Sequence, residues 1–367
     1  MKILLCIDSM DMGGAETHVL TLAQGLMALG HTVHIAAHTG RLSHKAEAEG
    51  IKVLPTPAWR GSVLSLTKLR RALRRIIKRG RYDVVHAHSR AAAFCAARGV
   101  KSVKKRRRPR FVVTAHAYFN MKGRRGRMSV WGQRTIAVSQ DIKQHLMRHG
   151  VSGKRISVIS NGIDTARFCP ARQAEGGGGI DEVGSPAVVF VSRLDADCSD
   201  VAHMLCRIAG RLAAAADSVR IIIVGGGSEH QTIEALAALM NTAIGRQVIQ
   251  VTGARQDVET VLRGATVFVG VSRAALEAAS CGVPVILAGN EGYGGIFQPP
   301  RSRDASNLCA RGGGMADSER LFEDICRILK MGQGERQALG RRCRDYVEKY
   351  YSSAAMARET ERIYNNK

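Results

Sequence analysis

Residues 265–286, ATVFVGVSRAALEAASCGVPVI, run from an apolar strand through a short loop into a helix carrying one acid, Glu277, before a second apolar strand. A carboxylate close to a helix start, at the carboxyl end of a strand, suits a nucleotide. Helix N-terminal amides attract phosphate, and the carboxylate accepts hydrogen bonds from ribose hydroxyls. The N-terminus repeats this plan. MKILLCI reads as a buried strand, DSMDMGG as a loop, and Val19, Leu22, Ala23 and Leu26 recur at helical spacing up to Gly30. Gly13 and Gly14 lack Cβ atoms, so their loop can approach a phosphate or a sugar beside unpaired helix N–H groups. An ordinary tight turn would use the same two glycines. Two ligand-ready loops, one in each half, imply a cleft between two lobes. His86 and His88 in DVVHAHS match a metal pair by residue type alone; they are expected to point to opposite faces of their strand, and no metal site is expected.

The elements that must position these residues alternate. KILLCI, a helix near 15–29, HTVHIAA, a basic helix, DVVHAH, RFVVTAH, RTIAVS and RISVIS follow one another, which is the pattern of parallel βαβ units. Apolar periodicity is lost over 171–186, ARQAEGGGGIDEVGSP, the best candidate linker. Alternation resumes with AVVFVS, a helix over 200–215, VRIIIVGGG, a helix over 229–240, VIQVTG, a helix over 256–263, TVFVG and PVILAG. The chain reads as helical beyond 318. The expected layout is an N-terminal domain over 1–165, a linker over 166–186 and a C-terminal domain over 187–344. A last helix, 345–367, returns to the first domain.

A chain of 367 residues is comfortable as two domains. It has no run of roughly 18 apolar residues of the kind a membrane span needs, and residues 1–7 are too short for a signal peptide, so a cytoplasmic location is expected. Nine cysteines without a CxxC pair suggest reduced, mostly buried thiols. The net charge of +24 is lopsided: residues 1–165 hold 31 Lys and Arg against 8 Asp and Glu, whereas residues 166–367 are nearly neutral. Three clusters supply the excess, at 66–81, 101–110 and 122–127. In the first, Leu66, Leu69, Leu73, Ile76 and Ile77 form one stripe of a helix, and Lys68, Arg70, Arg71, Arg74, Arg75 and Lys78 face away. That outward face suits an anionic lipid surface or nucleic acid, or stands solvated with no partner. Nucleic acid ranks last, because aromatic residues make up only 5% and no stacking pattern accompanies the charge.

GGAETHVLTLAQGLMALGHTVHI, DVVHAHS, VVTAH, IAVSQDIKQHL, ISVISNGIDTARF, VSRLD, VTGARQDV and LEAASCGVPV stand in an order that resembles the family 4 glycosyltransferases of GT-B fold (glycosyl transferases group 1) over nearly the whole chain. The resemblance implies two Rossmann-like domains with parallel sheets facing across a cleft, a nucleotide sugar held by the second and an acceptor by the first. It implies transfer with retention of anomeric configuration and no required cofactor. Glu277 matches the family's ribose-binding acid. Arg193 resembles the arginine that neutralises the leaving diphosphate, a role to which a guanidinium fork is suited. His116 resembles a histidine close to the reacting sugar. Gly253 and Arg255 fall on the loop whose backbone contacts the nucleobase in the family, while the Gly225–Gly227 run reads as part of the cleft floor or as a simple turn.

The chain departs from the pattern twice. Cys198 stands where the family carries a lysine paired with the arginine, and eight residues before Glu277 the family's first acid is replaced by Val269. Ser272, Arg273 and the NEGYGG loop at 290–295 are candidates to compensate. The expected activity is transfer of a hexose from a UDP- or GDP-sugar to a lipid-linked or cell-envelope polysaccharide acceptor. It would occur on the inner face of the plasma membrane, reached through the basic N-terminal domain. The alternative is a catalytically impaired scaffold that binds a sugar nucleotide or glycan.

Overall fold

The computed structural model describes residues 1–11, 13–118, 126, 128–171, 185–301, 308, 310, 314 and 317–366. The third basic cluster, apart from Gly126, and positions 172–184 of the glycine-rich stretch lie outside them. The chain divides into two compact units, Met1–Gly162 with Ser353–Lys367, and Ile163–Ser352.

The first unit is built on a seven-stranded parallel sheet: β1 (Lys2–Ser9), β2 (Thr32–His38), β3 (Lys52–Pro55), β4 (Val84–Ala87), β5 (Arg110–Ala115), β6 (Arg134–Ala137) and β7 (Ile156–Val158). Its order is β3-β2-β1-β4-β5-β6-β7. Parallel strands covered on both faces read as unbroken apolar runs, and β1 obeys this. Ile3, Leu5 and Ile7 pack with Val19, Leu22, Ala23 and Leu26 of α1 (Gly14–Ala28). Leu4 and Cys6 face the other layer, under α3 (Val63–Gly80) and α4 (Arg90–Lys101). Between α1 and α3 lies the short α2 (Arg41–Ala48).

The basic helix forms as expected. Ser62 caps α3 by accepting the Ser65 N–H, and Leu69, Leu73 and Ile77 are buried while the cations at 68, 70, 71, 74, 75 and 78 are exposed. Gly99 sets the crossing with α4, since a Cβ there would lie 2.8 Å from Ile77 Cδ1. A further helix of this unit is α5 (Gln140–Arg148).

The second unit holds β8 (Ala187–Val191), β9 (Arg220–Val224), β10 (Ile249–Val251), β11 (Val267–Gly270), β12 (Val285–Gly289) and β13 (Gly292–Ile296), ordered β10-β9-β8-β11-β12-β13. Its helices are α6 (Asp200–Ala215), α7 (His230–Ile244), α8 (Val258–Arg263), α9 (Ser272–Ser280), α10 (Ser318–Lys330) and α11 (Gln333–Tyr350). NEGYGG is not a loop poised at a ligand. Its glycines enter β13, which pairs antiparallel with β12 and places Tyr293 OH 2.7 Å from Asp324 Oδ2 on α10.

The chain passes between the units at Gly162–Ile163, ahead of the expected linker, because Ile163 and Phe168 are buried in the second unit's core. The return comes at Ser352–Ser353 rather than 345. Tyr346, Val347 and Tyr351 belong to that same core, and only α12 (Ser353–Asn365) joins the first unit. The two passages run side by side, with the Ile163 N–H donating to Tyr351 O at 2.7 Å. The described cysteines form no disulfide, and Cys6, Cys95, Cys206, Cys281 and Cys343 are buried.

Candidate functional sites at two switch points

In both sheets the strand order reverses beside the first strand, between β1 and β4 and between β8 and β11. Loops leaving the carboxyl ends of such strands splay apart and leave a crevice. The expected site residues lie on the loops and helices that leave strands of this kind, with Glu277 the sixth residue of its nine-residue helix.

In the second unit, α9 leaves β11 with Ser272 at φ 60°, a left-handed conformation that costs a non-glycine residue of order 1–3 kcal/mol. The Ser272 N–H donates to Leu308 O at 2.9 Å. One turn on, Glu277 is nearly enclosed, its side chain 13% exposed, and Arg273 Nε donates to its Oε1 at 2.8 Å. Burial pushes the Glu277 carboxyl above its ordinary range, while the Arg273 and Arg167 guanidinium groups pull it back down. Arg167 itself donates to Glu259 Oε2 at 2.7 Å.

Arg193 follows β8 on a loop fastened to its neighbours. Leu194 N–H donates to Gly226 O, Gly225 N–H to Gly253 O, and Ser228 N–H to Asp195 Oδ1. Gly225 and Gly227 are therefore required by close approach of the backbone, whereas Gly226 has room for a Cβ. A Cβ at Gly225 would collide with Ser192 O, and one at Gly227 would lie 2.5 Å from Leu194 O. The Arg193 guanidinium, 68% exposed, donates to Asp195 Oδ2 at 2.8 Å and to Cys198 Sγ at 3.4 Å, with Asp197 Oδ2 3.5 Å away. Burial raises the Cys198 thiol to about 11, assisted by its hydrogen bond to Asp197, so sulfur supplies no charge where a lysine would. Arg255 is held in a two-pronged pair by Asp257, and Gly253 sits at φ 70°.

In the first unit Gly13 precedes α1, and a Cβ on it would collide with the Glu16 carboxylate; at Gly14 nothing lies within 4 Å of the same position. Ser89, after β4, caps α4 and donates to Asp8 Oδ1 at 2.6 Å, tying the start of α4 to the end of β1 across the switch point. His116, at the end of β5, belongs to a group of imidazoles. Its Nε2 is 3.1 Å from His88 Nδ1, and its ring stands edge-on to His18 with centroids 4.7 Å apart. The expectation that His86 and His88 point to opposite faces is overturned: their centroids are 4.1 Å apart, because residues two apart on a strand share a face. His86 is held by Tyr364 OH at Nδ1 (2.6 Å) and Thr114 Oγ1 at Nε2 (2.7 Å). Burial, with neighbouring imidazoles adding to it, pulls His86, His88 and His116 well below the ordinary histidine range.

Sequence reasoning missed His18, Asn161 and Tyr364. Only the five-residue step from Gly13 to His18, placing it just past the first turn of the same helix, could have pointed to the first of them.

Residues 12–167 match the family described as Glycosyltransferase Family 4, and residues 185–331 match Glycosyl transferases group 1. A phosphatidylinositol N-acetylglucosaminyltransferase component from Arabidopsis thaliana is 24% identical over 393 residues, covering 100% of this chain and 82% of that protein. The phosphatidyl-myo-inositol mannosyltransferase of Mycolicibacterium smegmatis is 26% identical over 240 residues, covering 63% and 60%. Among solved structures, a glycosyltransferase from Rickettsia africae has a TM-score of 0.76 at 18% identity, covering 99% of this chain and 97% of that one. Anabaena HepE in complex with UDP has a TM-score of 0.71 at 18% identity, covering 99% of each. With one family match on each of its two Rossmann-like halves, the chain belongs to the family 4, group 1 glycosyltransferases, transferases of GT-B fold.

Proposed function

We propose that this transferase moves a hexose from a UDP- or GDP-sugar, with retention, to a lipid acceptor, and that this acceptor is an inositol phospholipid rather than a cell-envelope polysaccharide. The observation that carries the donor half is the enclosed Glu277 carboxylate on the helix that leaves β11 at the switch point, where ribose hydroxyls would find an acceptor that is already desolvated. Arg193 would neutralise the leaving diphosphate, the Gly253–Arg255 loop would face the base, and Gly13, Gly14 and His116 would meet the transferred sugar. The acceptor half is supported by the two relatives above, whose names both specify phosphatidylinositol.

A lipid acceptor calls for a membrane surface, and α3 is suited to one. Val63 and Leu64 at its start are 81% and 66% exposed. Arg70, Arg71, Arg74, Arg98 and Lys101 line one recess between α3 and α4. Each cation near anionic headgroups contributes on the order of 1 kcal/mol. No helix among the described residues is long and apolar enough to cross a membrane; in this reading α3 rests on the inner face of the membrane.

The test is transfer from radiolabelled UDP- and GDP-sugars to phosphatidylinositol vesicles by the wild type and by Arg193→Ala. Loss of a group that stabilises developing charge is expected to slow turnover about 10²- to 10³-fold. Undiminished turnover in that variant sinks the assignment. A second reading, a sugar-nucleotide binder without turnover, is favoured by Arg193 being matched to Asp195 and Asp197 with Cys198 as its further neighbour. Calorimetric binding with no release of nucleoside diphosphate, whatever the acceptor, would select it.

A further inference from the structure

Arg70, Arg71 and Arg74 of α3 share with Arg98 and Lys101 of α4 a recess of about 500 Å³, its lining completed by Gly99 and Ser102. Small-molecule sites span about 300–1,000 Å³. The helices approach this closely because Gly99 has no side chain; a Cβ there would lie 3.4 Å from Arg74 Cα. No carboxylate among the described residues pairs with these five cations. Between Glu49 and Asp141 the sequence holds a single acid, Asp83, whose Oδ2 accepts the Lys2 N–H at 2.7 Å.

The negative end of the α4 dipole favours Arg98 and Lys101 in its last turn. It does not account for Arg70, Arg71 and Arg74, in the middle of the 18-residue α3, where like charges three and four apart on one face repel. A multiply charged anion seated among them relieves that repulsion, and guanidinium forks match phosphate oxygens. Arg98 lies over the Phe94 ring, 3.9 Å from its centroid, which holds its guanidinium in place. Val63 and Leu64 precede Arg70 and Arg71 by seven residues, so each shares a helix face with one recess arginine, about 10 Å away along the axis. They are 81% and 66% exposed. An apolar pair beside an anion site suits a ligand with phosphates at one end and hydrocarbon at the other.

We propose that the recess binds the head group of a lipid carrying two or more phosphates, with Val63 and Leu64 entering the membrane interface beside it. This goes beyond the transfer reaction and does not require that the lipid be the acceptor. Arg98 and Lys101 lie about 14–18 Å along α4 from Ser89 at the switch point, so the recess is a second site. A merely anionic surface would engage the other cations of α3 equally, whereas the recess distinguishes one head group from another.

Full-length protein is sedimented with phosphatidylcholine vesicles doped with phosphatidylinositol bisphosphate, and with vesicles given the same charge by phosphatidylserine. The wild type is expected to bind the former about tenfold more tightly, the gain from one to two further engaged cations. Arg71→Gln/Arg74→Gln should lose that preference, its affinity for the bisphosphate vesicles falling about 25-fold at about 5-fold per cation. Arg75→Gln/Lys78→Gln removes the same charge from α3 outside the recess and should keep the preference. All four side chains are exposed, so the fold is expected to persist. Val63→Ser/Leu64→Ser should weaken vesicle binding yet bind soluble inositol trisphosphate as wild type does, which separates a lipid from a free phosphate ligand. Binding is read without a sugar donor, so it holds or fails separately from transfer. The proposal is overturned if the two vesicle types bind alike, if both pairs of α3 substitutions lose the preference equally, if Val63→Ser/Leu64→Ser leaves vesicle binding unchanged, or if a DNA duplex outcompetes the bisphosphate vesicles.

Discussion

Glu277→Gln isolates the ribose contact, because it keeps the side chain's shape and removes its charge. Arg273 Nε already occupies Glu277 Oε1, which leaves Oε2 and the remaining lone pair of Oε1 for two hydroxyls. Hydrogen bonds to a charged group contribute about 1.5–3 kcal/mol net, and neutral ones about 0.5–1.5. Replacing carboxylate by amide therefore costs about 1 kcal/mol per hydroxyl, so one or two contacts weaken UDP binding about 5- to 30-fold. The carboxylate is already enclosed before ligand arrives, so binding adds little desolvation to offset the gain. Calorimetry with UDP and with 2′,3′-dideoxy-UDP closes the cycle. In wild type the dideoxy compound should bind more weakly by about 1.5–3 kcal/mol per hydroxyl contacted, and in Glu277→Gln that gap between the two ligands should shrink by about 1 kcal/mol per hydroxyl. If the variant weakens both ligands equally, Glu277 acts through the fold of its helix and the ribose assignment is wrong.

Binding should also depend on pH through the same group. Burial raises the Glu277 carboxyl, so as pH falls it takes up a proton earlier than an ordinary glutamate, and UDP affinity falls with it. In Arg273→Gln the cation that opposes this rise is gone, and the loss of affinity should begin at higher pH; an unmoved midpoint would refute the coupling. Tyr364→Phe leaves His86 Nδ1 unpaired in a buried setting and should cost about 1–3 kcal/mol in urea unfolding of the full chain, which a wild-type midpoint would contradict. Gly225→Ala forces a Cβ against Ser192 O, so the β8 and β9 loops must separate. UDP binding should drop with the unfolding midpoint, and a variant equal to wild type in both would show that the loops are not locked.

The alternating apolar runs made most of the fold legible, because strands buried on both faces have little choice of residue. The exceptions carry no such signal. β3 is four residues ending in Pro55, and β13 is GYGGI, three glycines in five positions. The unit boundaries were misplaced for a related reason. Composition marks where apolar residues are sparse, whereas the chain crosses at Gly162–Ile163, just before Ile163 and Phe168 enter the second core. Helical spacing likewise runs on through Tyr351 and Ser352, where α11 ends and the chain changes units. The place of Glu277 on the helix after β11 could be read from sequence since its strand, loop and helix are contiguous. The imidazole group could not, because His18, His88 and His116 are brought together only by the strand order.

Charge at the second switch point argues that the two departures from the family pattern are not repaired by a single residue. Arg273 lies one turn before Glu277 and is committed to it through Nε, which steadies the acid proposed to bind ribose. Arg193 instead meets two carboxylates and a neutral thiol, so its charge is more than matched before any ligand arrives. Exposed ion pairs of this kind contribute little to stability, and a diphosphate can displace Asp195 and Asp197 because it presents several oxygens to the same guanidinium. Asp195 accepts from the Ser228 N–H through Oδ1 and from Arg193 through Oδ2, so Arg193 can turn to a diphosphate while the β9 loop stays fastened.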